Sequence, residues 1–250
     1  MNIVVNGLLT NYQQLGDGKT VLLLHGWGDT SQTFVGLQKE LAKTYQAIAL
    51  DLPGFGQTQP PELVWGLNDY ADFVGAFLTK LQQKPYAIVA HSNGGAIAIR
   101  GLAVGNLQAE KLILLASAGI RSEYKGRKLL LRLAAKGAKA LTAPLPKSAQ
   151  QKLKKGAYKT IGSDLFVAEH LQETFKKVVT DDVQADASRL NIPTLLLYGQ
   201  NDTATPPRYG ELFHKAIQGS RLEVLPAAGH FLHHDQPDEV NKAVQEFLHG

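Results

Sequence analysis

Five short runs of consecutive apolar residues, rich in Val, Ile and Leu, constrain the fold of this chain more than any other feature. They cover residues 21–24, 47–50, 86–90, 112–116 and 194–198. A strand with one face in water alternates apolar and polar residues, whereas a strand buried on both faces is apolar at successive positions. The sequence therefore predicts an α/β architecture, in which helices cover both faces of a mostly parallel sheet.

The N-terminal residues follow a different pattern. Two apolar stretches, 3–5 and 8–12, flank Asn6-Gly7, a dipeptide that favours the tight turn of a β-hairpin. We therefore predict that the sheet begins with an antiparallel pair of strands. A further apolar stretch at 222–225 predicts the last strand. Helical patterns fill the gaps between strands, at 32–43, 69–81 with Asn68 as N-cap, 94–104, 209–217, and 238–248 after Pro237.

The alternation of strands and helices breaks between residues 120 and 187, where Lys, Leu, Ala and Gln dominate. This segment is too long for an ordinary loop inside a compact domain, and the strand pattern resumes directly after it. We predict a helical insertion at 120–187 in a single core formed by residues 1–119 and 188–250.

The composition excludes several kinds of chemistry. The chain has no cysteine, so it has no disulfides, no thiol nucleophile and no thiolate metal site. No stretch approaches eighteen uninterrupted apolar residues, and residues 1–10 lack the pattern of an export signal, so we expect a cytoplasmic protein.

A serine lies where the sequence changes from strand to helix. Ala90-His91-Ser92-Asn93-Gly94 follows an apolar run and precedes a helical pattern. A serine at such a tight turn presents its hydroxyl above the sheet, and small residues two positions to either side allow the backbone to fold back. The usual form is G-x-S-x-G, so Ala90 is a departure by one methyl group. Ser92 is our candidate nucleophile.

A serine hydroxyl needs a base to remove its proton, and the base needs a carboxylate to orient it. Asp202 follows the strand run at 194–198, and His230 follows the last strand run. The carboxyl ends of parallel strands lie at one edge of a sheet, so loops after three strands can converge there. We predict His230 as general base and Asp202 as the acid that orients it.

The segment Leu24-His25-Gly26-Trp27-Gly28 also follows a strand run directly. Its glycines allow the backbone to turn amides toward a ligand. We expect an oxyanion hole here, with the backbone N–H groups of Trp27 and Asn93 as donors.

Other polar residues are weaker candidates. His233 and His234 follow His230 closely and are its rivals as base, whereas His25 and His91 are expected to be structural hydrogen-bonders. Asp51 also follows a strand, but we expect a structural role for it. His233, His234 and Asp235 have no recognised metal-ligand spacing, and the glycine-rich segments match no phosphate-binding loop.

Taken together, these motifs resemble the α/β-hydrolase superfamily over nearly the whole chain. The residues that carry the resemblance are His25-Gly26, Asp51-Leu52-Pro53-Gly54-Phe55-Gly56, the Ser92 turn, Gly199 with Asp202, and Gly229-His230. Within the superfamily the chain is most similar to small cofactor-independent esterases with a helical cap. The resemblance implies an α/β-hydrolase fold, with a mostly parallel eight-stranded sheet, flanking helices and an inserted cap.

The expected function is hydrolysis of carboxylic esters of small or medium acyl groups through an acyl-enzyme, without a cofactor or metal. A serine nucleophile argues against the dehalogenases and epoxide hydrolases of the superfamily. The same machinery serves carbon–carbon bond hydrolases and thioesterases or carrier-bound ester hydrolases, so these remain alternatives, as does a catalytically silent binding protein.

Positive charge is concentrated in the insertion. Residues 121–159 contain twelve Lys or Arg and one acidic residue, Glu123, although the formal net charge of the chain is only +4. This segment is either a solvated helical face or a surface for an anionic partner, such as a carrier protein or a membrane. Nucleic acid is not expected, because the segment lacks interleaved aromatic residues. We expect a small-molecule ester as substrate, and a monomer or a dimer.

Overall fold

The structure, a computed structural model, describes residues 1–121 and 169–250 of the chain. Within these ranges one sheet contains the strands β1 (Asn2–Val5), β2 (Leu8–Leu15), β3 (Thr20–Leu24), β4 (Gln46–Leu50), β5 (Ala87–His91), β6 (Lys111–Leu115), β7 (Thr194–Gly199) and β8 (Arg221–Leu225). The described helices are α1 (Val35–Leu41), α2 (Leu67–Lys80), α3 (Asn93–Val104), α4 (Gln172–Val179), α5 (Gln184–Ala187), α6 (Pro207–Ala216), α7 (Leu232–Asp235) and α8 (Pro237–His249). Two short 3₁₀ segments cover Ser31–Phe34 and Glu169–Leu171.

The eight strands lie in the order β1-β2-β4-β3-β5-β6-β7-β8. The pairs β1/β2 and β2/β4 are antiparallel, and all later pairs are parallel. The predicted fold class, a mostly parallel eight-stranded sheet that begins with an antiparallel hairpin, is therefore confirmed.

The hairpin turn has the conformation that its sequence favours. Asn6 and Gly7 have φ values of +46° and +82°, and Val5 pairs directly with Leu8 across the turn. Two successive residues in the left-handed region match the right-handed twist of the strands, and Asn and Gly tolerate that region best.

The central strands are buried on both faces, as their apolar runs predicted. In β3, Leu22 and Leu24 belong to the core cluster under α2, α3 and α6, whereas Val21 and Leu23 belong to the cluster under α1 and α8. Burying one such side chain contributes roughly 1.5–3 kcal/mol. The two cores lie on opposite faces of the sheet, and the loops at its carboxyl edge carry the candidate site.

One helix start differs from the prediction. Asn68 is not the N-cap of α2, because the helix begins at Leu67 and its N-cap is Gly66. The carboxylate of Asp69 accepts the Gly66 amide at 2.6 Å and satisfies the helix terminus instead. The Asn68 side chain accepts a hydrogen bond from Arg100 at 2.7 Å.

Most of the predicted insertion, including nearly all of its basic segment, lies outside the described residues. Its described C-terminal part contains α4 and α5. Arg100 binds Asp186 at 2.6 Å and Asp181 at 3.2 Å, which joins this part to α3, the helix that follows Ser92. The bounds of the insertion stay a prediction.

Candidate active site

Ser92 occupies a strained turn between β5 and α3. Its φ and ψ are +51° and −116°, a conformation that costs a non-glycine residue about 1–3 kcal/mol. Two hydrogen bonds hold the turn to the end of β6 and to the loop after it. The Ser92 amide donates to the Leu115 carbonyl at 3.0 Å, and the Ser92 carbonyl accepts from the Ala118 amide at 2.9 Å. The strand–turn–helix context predicted for Ser92 is therefore present.

Small residues are required around this turn for a steric reason. A Cβ atom at Gly94 would lie 2.4 Å from the Leu24 carbonyl oxygen, so only glycine fits there. Ala90 lies in β5 between Leu24 of β3 and Leu114 of β6 and is fully buried. The sheet accommodates the methyl group by which this chain departs from the G-x-S-x-G pattern.

The structure brings Ser92, His230 and Asp202 into one hydrogen-bonded chain. His230 Nε2 lies 3.0 Å from Ser92 Oγ, and His230 Nδ1 lies 2.8 Å from Asp202 Oδ2. A carboxylate can only accept, so Nδ1 carries the ring proton and Nε2 is left to accept the serine proton. The Asp202 side chain is fully buried, and the His230 side chain is 22% exposed.

Asp202 is held as a carboxylate by its donors. Its Oδ1 accepts the amides of Ala204 at 2.7 Å and Thr205 at 3.0 Å, and its Oδ2 accepts from His230. Burial alone raises the pKa of Asp202, but the hydrogen bonds from His230 and Thr205 outweigh it and hold the pKa below its usual value. The acid therefore stays ionised beside the imidazole near neutral pH.

The loop after β3 packs directly on the serine turn. A Cβ atom at Gly26 would lie 3.1 Å from Ser92 Cβ and 3.0 Å from His91 Nδ1. In the part of the chain that the structure describes, the amides of Trp27 and Asn93 have no hydrogen-bond partner. Both predicted oxyanion donors are therefore unpaired within the described residues.

The wall beside this loop is aromatic. The indole of Trp27 contacts Phe55 and Phe175, with ring centroids 4.9 and 5.2 Å apart. Phe231, which follows His230, is 45% exposed, and its ring lies 5.4 Å from that of His230. Apolar groups of a substrate could therefore contact aromatic rings in two places, at Trp27 in the loop after β3 and at Phe231 beside His230.

His25 is a buried hydrogen-bonder, as expected. Its Nε2 accepts the Leu52 amide at 2.9 Å, so its Nδ1 carries the proton and donates to the Gly26 carbonyl at 2.7 Å. Burial lowers the pKa of His25, so the ring is neutral and fixes the shape of the loop.

His91 binds the backbone of His230, the predicted base. Its Nε2 donates to the His230 carbonyl at 2.9 Å, and burial together with His233 and His230 holds its pKa well below the usual value. A neutral ring in this position fixes the backbone of the loop that carries His230.

His233 and His234, the rivals for the base, point elsewhere. Their Nε2 atoms lie 3.0 and 2.9 Å from the hydroxyl of Thr33, and burial lowers the pKa of His233 to about 3. Among the described residues neither ring is hydrogen-bonded to Ser92.

Two further findings concern residues 1–121 and 169–250 only. No group of three or more His, Cys, Asp or Glu is arranged there to hold a metal ion. No helix there has the length and apolar character needed to cross a membrane.

Sequence reasoning missed Thr205 as a member of this site. Its hydroxyl lies 2.8 Å from Asp202 Oδ2 and 3.1 Å from His230 Nδ1. A threonine three residues after an aspartate carries no signal of its own, because local hydrogen-bonding threonines are common in loops.

Fold and site together are those of an α/β-hydrolase in which a serine, an aspartate and a histidine, in that order along the chain, follow three strands. The model of the alpha/beta hydrolase family matches residues 21–243. The chain therefore belongs to the alpha/beta hydrolase family. The family and the hydrolase class that the sequence predicted are confirmed.

Named proteins resemble the chain over most of its length. A pimeloyl-[acyl-carrier protein] methyl ester esterase of Neisseria meningitidis is 29% identical over 232 residues, 86% of this chain and 89% of that protein. An esterase from Exiguobacterium antarcticum superposes with a TM-score of 0.78 at 20% identity, over 100% of this chain and 99% of the other. A meta-cleavage product hydrolase from Pseudomonas fluorescens superposes with a TM-score of 0.74 at 22% identity, over 100% and 97%. The two superpositions show a shared fold.

Proposed function

We propose that the protein is a serine esterase that cleaves carboxylic esters of small or medium acyl groups, with Ser92 as nucleophile, His230 as general base and Asp202 as its orienting acid. The observation that carries the proposal is the unbroken hydrogen-bonded chain from a strained, half-buried serine to a fully buried carboxylate. The amides of Trp27 and Asn93, which have no hydrogen-bond partner within residues 1–121 and 169–250, support the proposal further, because ester cleavage needs donors for the negative charge that develops.

The reaction follows from these positions. Ser92 Oγ attacks the ester carbonyl carbon while His230 Nε2 takes the hydroxyl proton, and the amides of Trp27 and Asn93 bind the oxyanion. The tetrahedral intermediate collapses, the carbon–oxygen bond to the alcohol breaks, and His230 returns the proton to the leaving oxygen. Water then attacks the acyl-enzyme in the same way and releases the acid. No step requires a cofactor.

A carrier-bound or thioester substrate is the second candidate. The relative from Neisseria meningitidis, 29% identical, is named for a methyl ester on an acyl-carrier protein. The basic segment 121–159 gives this chain a source of attraction for an anionic carrier or membrane surface. The alternative of a carbon–carbon bond substrate is supported only by the likeness to the meta-cleavage product hydrolase. That likeness is one of fold, so it carries less weight.

The test is hydrolysis of a chain-length series of p-nitrophenyl esters near neutral pH by the wild-type protein and by Ser92→Ala. We expect the substitution to lower kcat by about a millionfold. Ser220→Ala is a matched control, because Ser220 Oγ also lies 2.9 Å from a histidine, Nδ1 of the exposed His214, but has no such turn. Its activity should equal that of the wild type.

The outcomes separate the candidates. Turnover by Ser92→Ala within about a hundredfold of the wild-type rate contradicts the assignment of the nucleophile. If the wild-type protein turns over none of these esters but Ser92 still reacts with a fluorophosphonate, an ester of this class is the wrong substrate and the machinery is intact. No reaction with either reagent would leave the binding-protein alternative.

A further inference from the structure

The hydroxyl of Thr205 lies at the junction between the acid and the base. Its Oγ1 is 2.8 Å from Asp202 Oδ2, 3.1 Å from His230 Nδ1 and 2.9 Å from the carbonyl oxygen of Ala116. The residue is 5% exposed, so water does not compete freely for these contacts.

The chemistry of a hydroxyl decides what it does for these neighbours. It has one hydrogen and two lone pairs. The Asp202 carboxylate and the Ala116 carbonyl can only accept, and the charged carboxylate is the stronger acceptor, so the hydrogen is assigned to Asp202 Oδ2. A lone pair then remains for the Nδ1–H of His230, which thereby gains a second acceptor beside Asp202.

Two rigid elements fix this oxygen. On one side is Ala116, directly after β6, whose φ of +47° is rare for alanine. A hydrogen bond from the Ala116 amide to the Leu197 carbonyl, at 2.8 Å, holds this conformation. On the other side Thr205 is followed by Pro206 and Pro207, which restrict its backbone and begin α6. The oxygen is therefore placed by the sheet edge and by a helix start, independently of His230.

We propose that Thr205 is a positioning residue, whose hydroxyl fixes the orientation of Asp202 Oδ2 and of the His230 ring relative to each other. This inference rests on the proposed serine hydrolase function. Without its hydroxyl, Oδ2 would lose its only donor other than the histidine among the described residues. The amides of Ala204 and Thr205 would still hold Oδ1, and of the residues described only His230 would then hold Oδ2, so the orientation of the carboxylate would be less restricted.

The test compares three variants with the wild type. Thr205→Val keeps the shape and removes the hydroxyl, and Thr205→Ser keeps the hydroxyl. Thr194→Val removes another buried threonine hydroxyl, which donates to the Ile192 carbonyl. Thr205→Ala is a second hydroxyl-free variant that does not depend on how valine packs.

The first readout needs no substrate. The Nδ1 proton of His230 is followed by ¹H NMR and assigned by its absence in His230→Gln. We expect its resonance to move upfield and its exchange with water to accelerate in Thr205→Val and Thr205→Ala. Thr205→Ser should restore the wild-type signal, and Thr194→Val should not change it. An unchanged signal in both hydroxyl-free variants overturns the proposal.

The second readout is kinetic. We expect Thr205→Val to lower kcat about tenfold to a hundredfold, with KM nearly unchanged, because a hydrogen bond to a charged group is lost and substrate contacts are not. Thr205→Ser should recover most of this loss, and equal loss in Thr205→Ser would contradict a role for the hydroxyl. Because the NMR signal is independent of turnover, an inactive wild-type protein would refute the esterase proposal and still leave the positioning role measurable.

Discussion

The loop after β4 and the loop after β7 each place one buried aspartate at the carboxyl edge of the sheet. Asp51 and Asp202 are 2% and 4% exposed, and hydrogen bonds hold the pKa of each below its usual value although burial raises it. By burial, charge and position after a strand the two residues are nearly equivalent.

Their partners differ. Asp51 accepts the amides of Ser31 at 2.7 Å and Gln57 at 3.0 Å, and the side chain of Asn11 at 2.8 Å. All of these donors belong to the backbone or to a neutral amide, and together they tie three segments to the sheet edge. Asp202 instead accepts a hydrogen bond from the His230 ring, and the other nitrogen of that ring contacts the Ser92 hydroxyl.

The comparison teaches that a buried, ionised carboxylate at a sheet edge does not by itself indicate catalysis. The two carboxylates differ in their donors: one donor of Asp202 is His230, which also contacts Ser92, whereas the donors of Asp51 are backbone amides and the Asn11 side chain. Replacing Asp202 should therefore lower activity, and replacing Asp51 should lower stability. The following changes test this division.

The largest expected effect is on kcat in Asp202→Asn. An amide can donate to His230 Nδ1 and hold the wrong tautomer, so we expect kcat to fall about ten-thousandfold while the fold is retained. The measurement is turnover of the best p-nitrophenyl ester, with circular dichroism to check folding. A loss of less than tenfold would contradict the role of Asp202.

Asp51→Asn should affect stability instead. The substitution replaces one carboxylate oxygen by an NH₂ group, which then faces an N–H donor and cannot accept its hydrogen bond. We therefore expect the free energy of unfolding, measured in urea at pH 7, to fall by about 2–3 kcal/mol. Turnover well below the unfolding temperature should stay within a few-fold of the wild type. An inactive but fully stable Asp51→Asn protein would reverse the division between the two carboxylates.

The pH dependence of the Asp51→Asn effect provides its control. The pKa of Asp51 is lowered in the folded protein, so its contribution is present above the unfolded value, near 3.8, and is lost as the pH falls through the folded value. The difference in unfolding free energy between wild type and Asp51→Asn should therefore shrink only below about pH 4.

The last expected effect appears only as the pH falls, and it separates these carboxylates from the buried histidines. The pKa of His233 is lowered to about 3 by burial, His234 and His230, so the unfolded chain binds its proton first as the pH falls. Its contribution is complete above about pH 6.5 and is lost between about 6.5 and 3, at up to about 1.4 kcal/mol per pH unit. We expect a shallower dependence of unfolding free energy on pH in His233→Gln. An identical slope would contradict a neutral His233.

Sequence patterns predicted more of the fold than of the site's details. Consecutive apolar residues identified the strands because burial on both faces of a sheet leaves no polar position. Asn6-Gly7 identified the hairpin because few residues tolerate two left-handed positions. The start of α2 was predicted wrongly, since Asn68 and Asp69 are both good capping residues and only the contacts of Arg100 and Gly66 decide between them.

The sequence by itself determined the edge of the sheet at which Ser92, Asp202 and His230 converge, because each follows a strand that its own composition identifies. Tertiary structure alone decided that His91 supports His230 from behind, that Asp51 ties loops together, and that Thr205 joins the acid and the base. The physical reason is that composition and periodicity record burial, which each residue experiences locally. The hydrogen-bond partners of a buried polar group come from distant segments, as Ala116 does for Thr205, and exist only after the chain has folded.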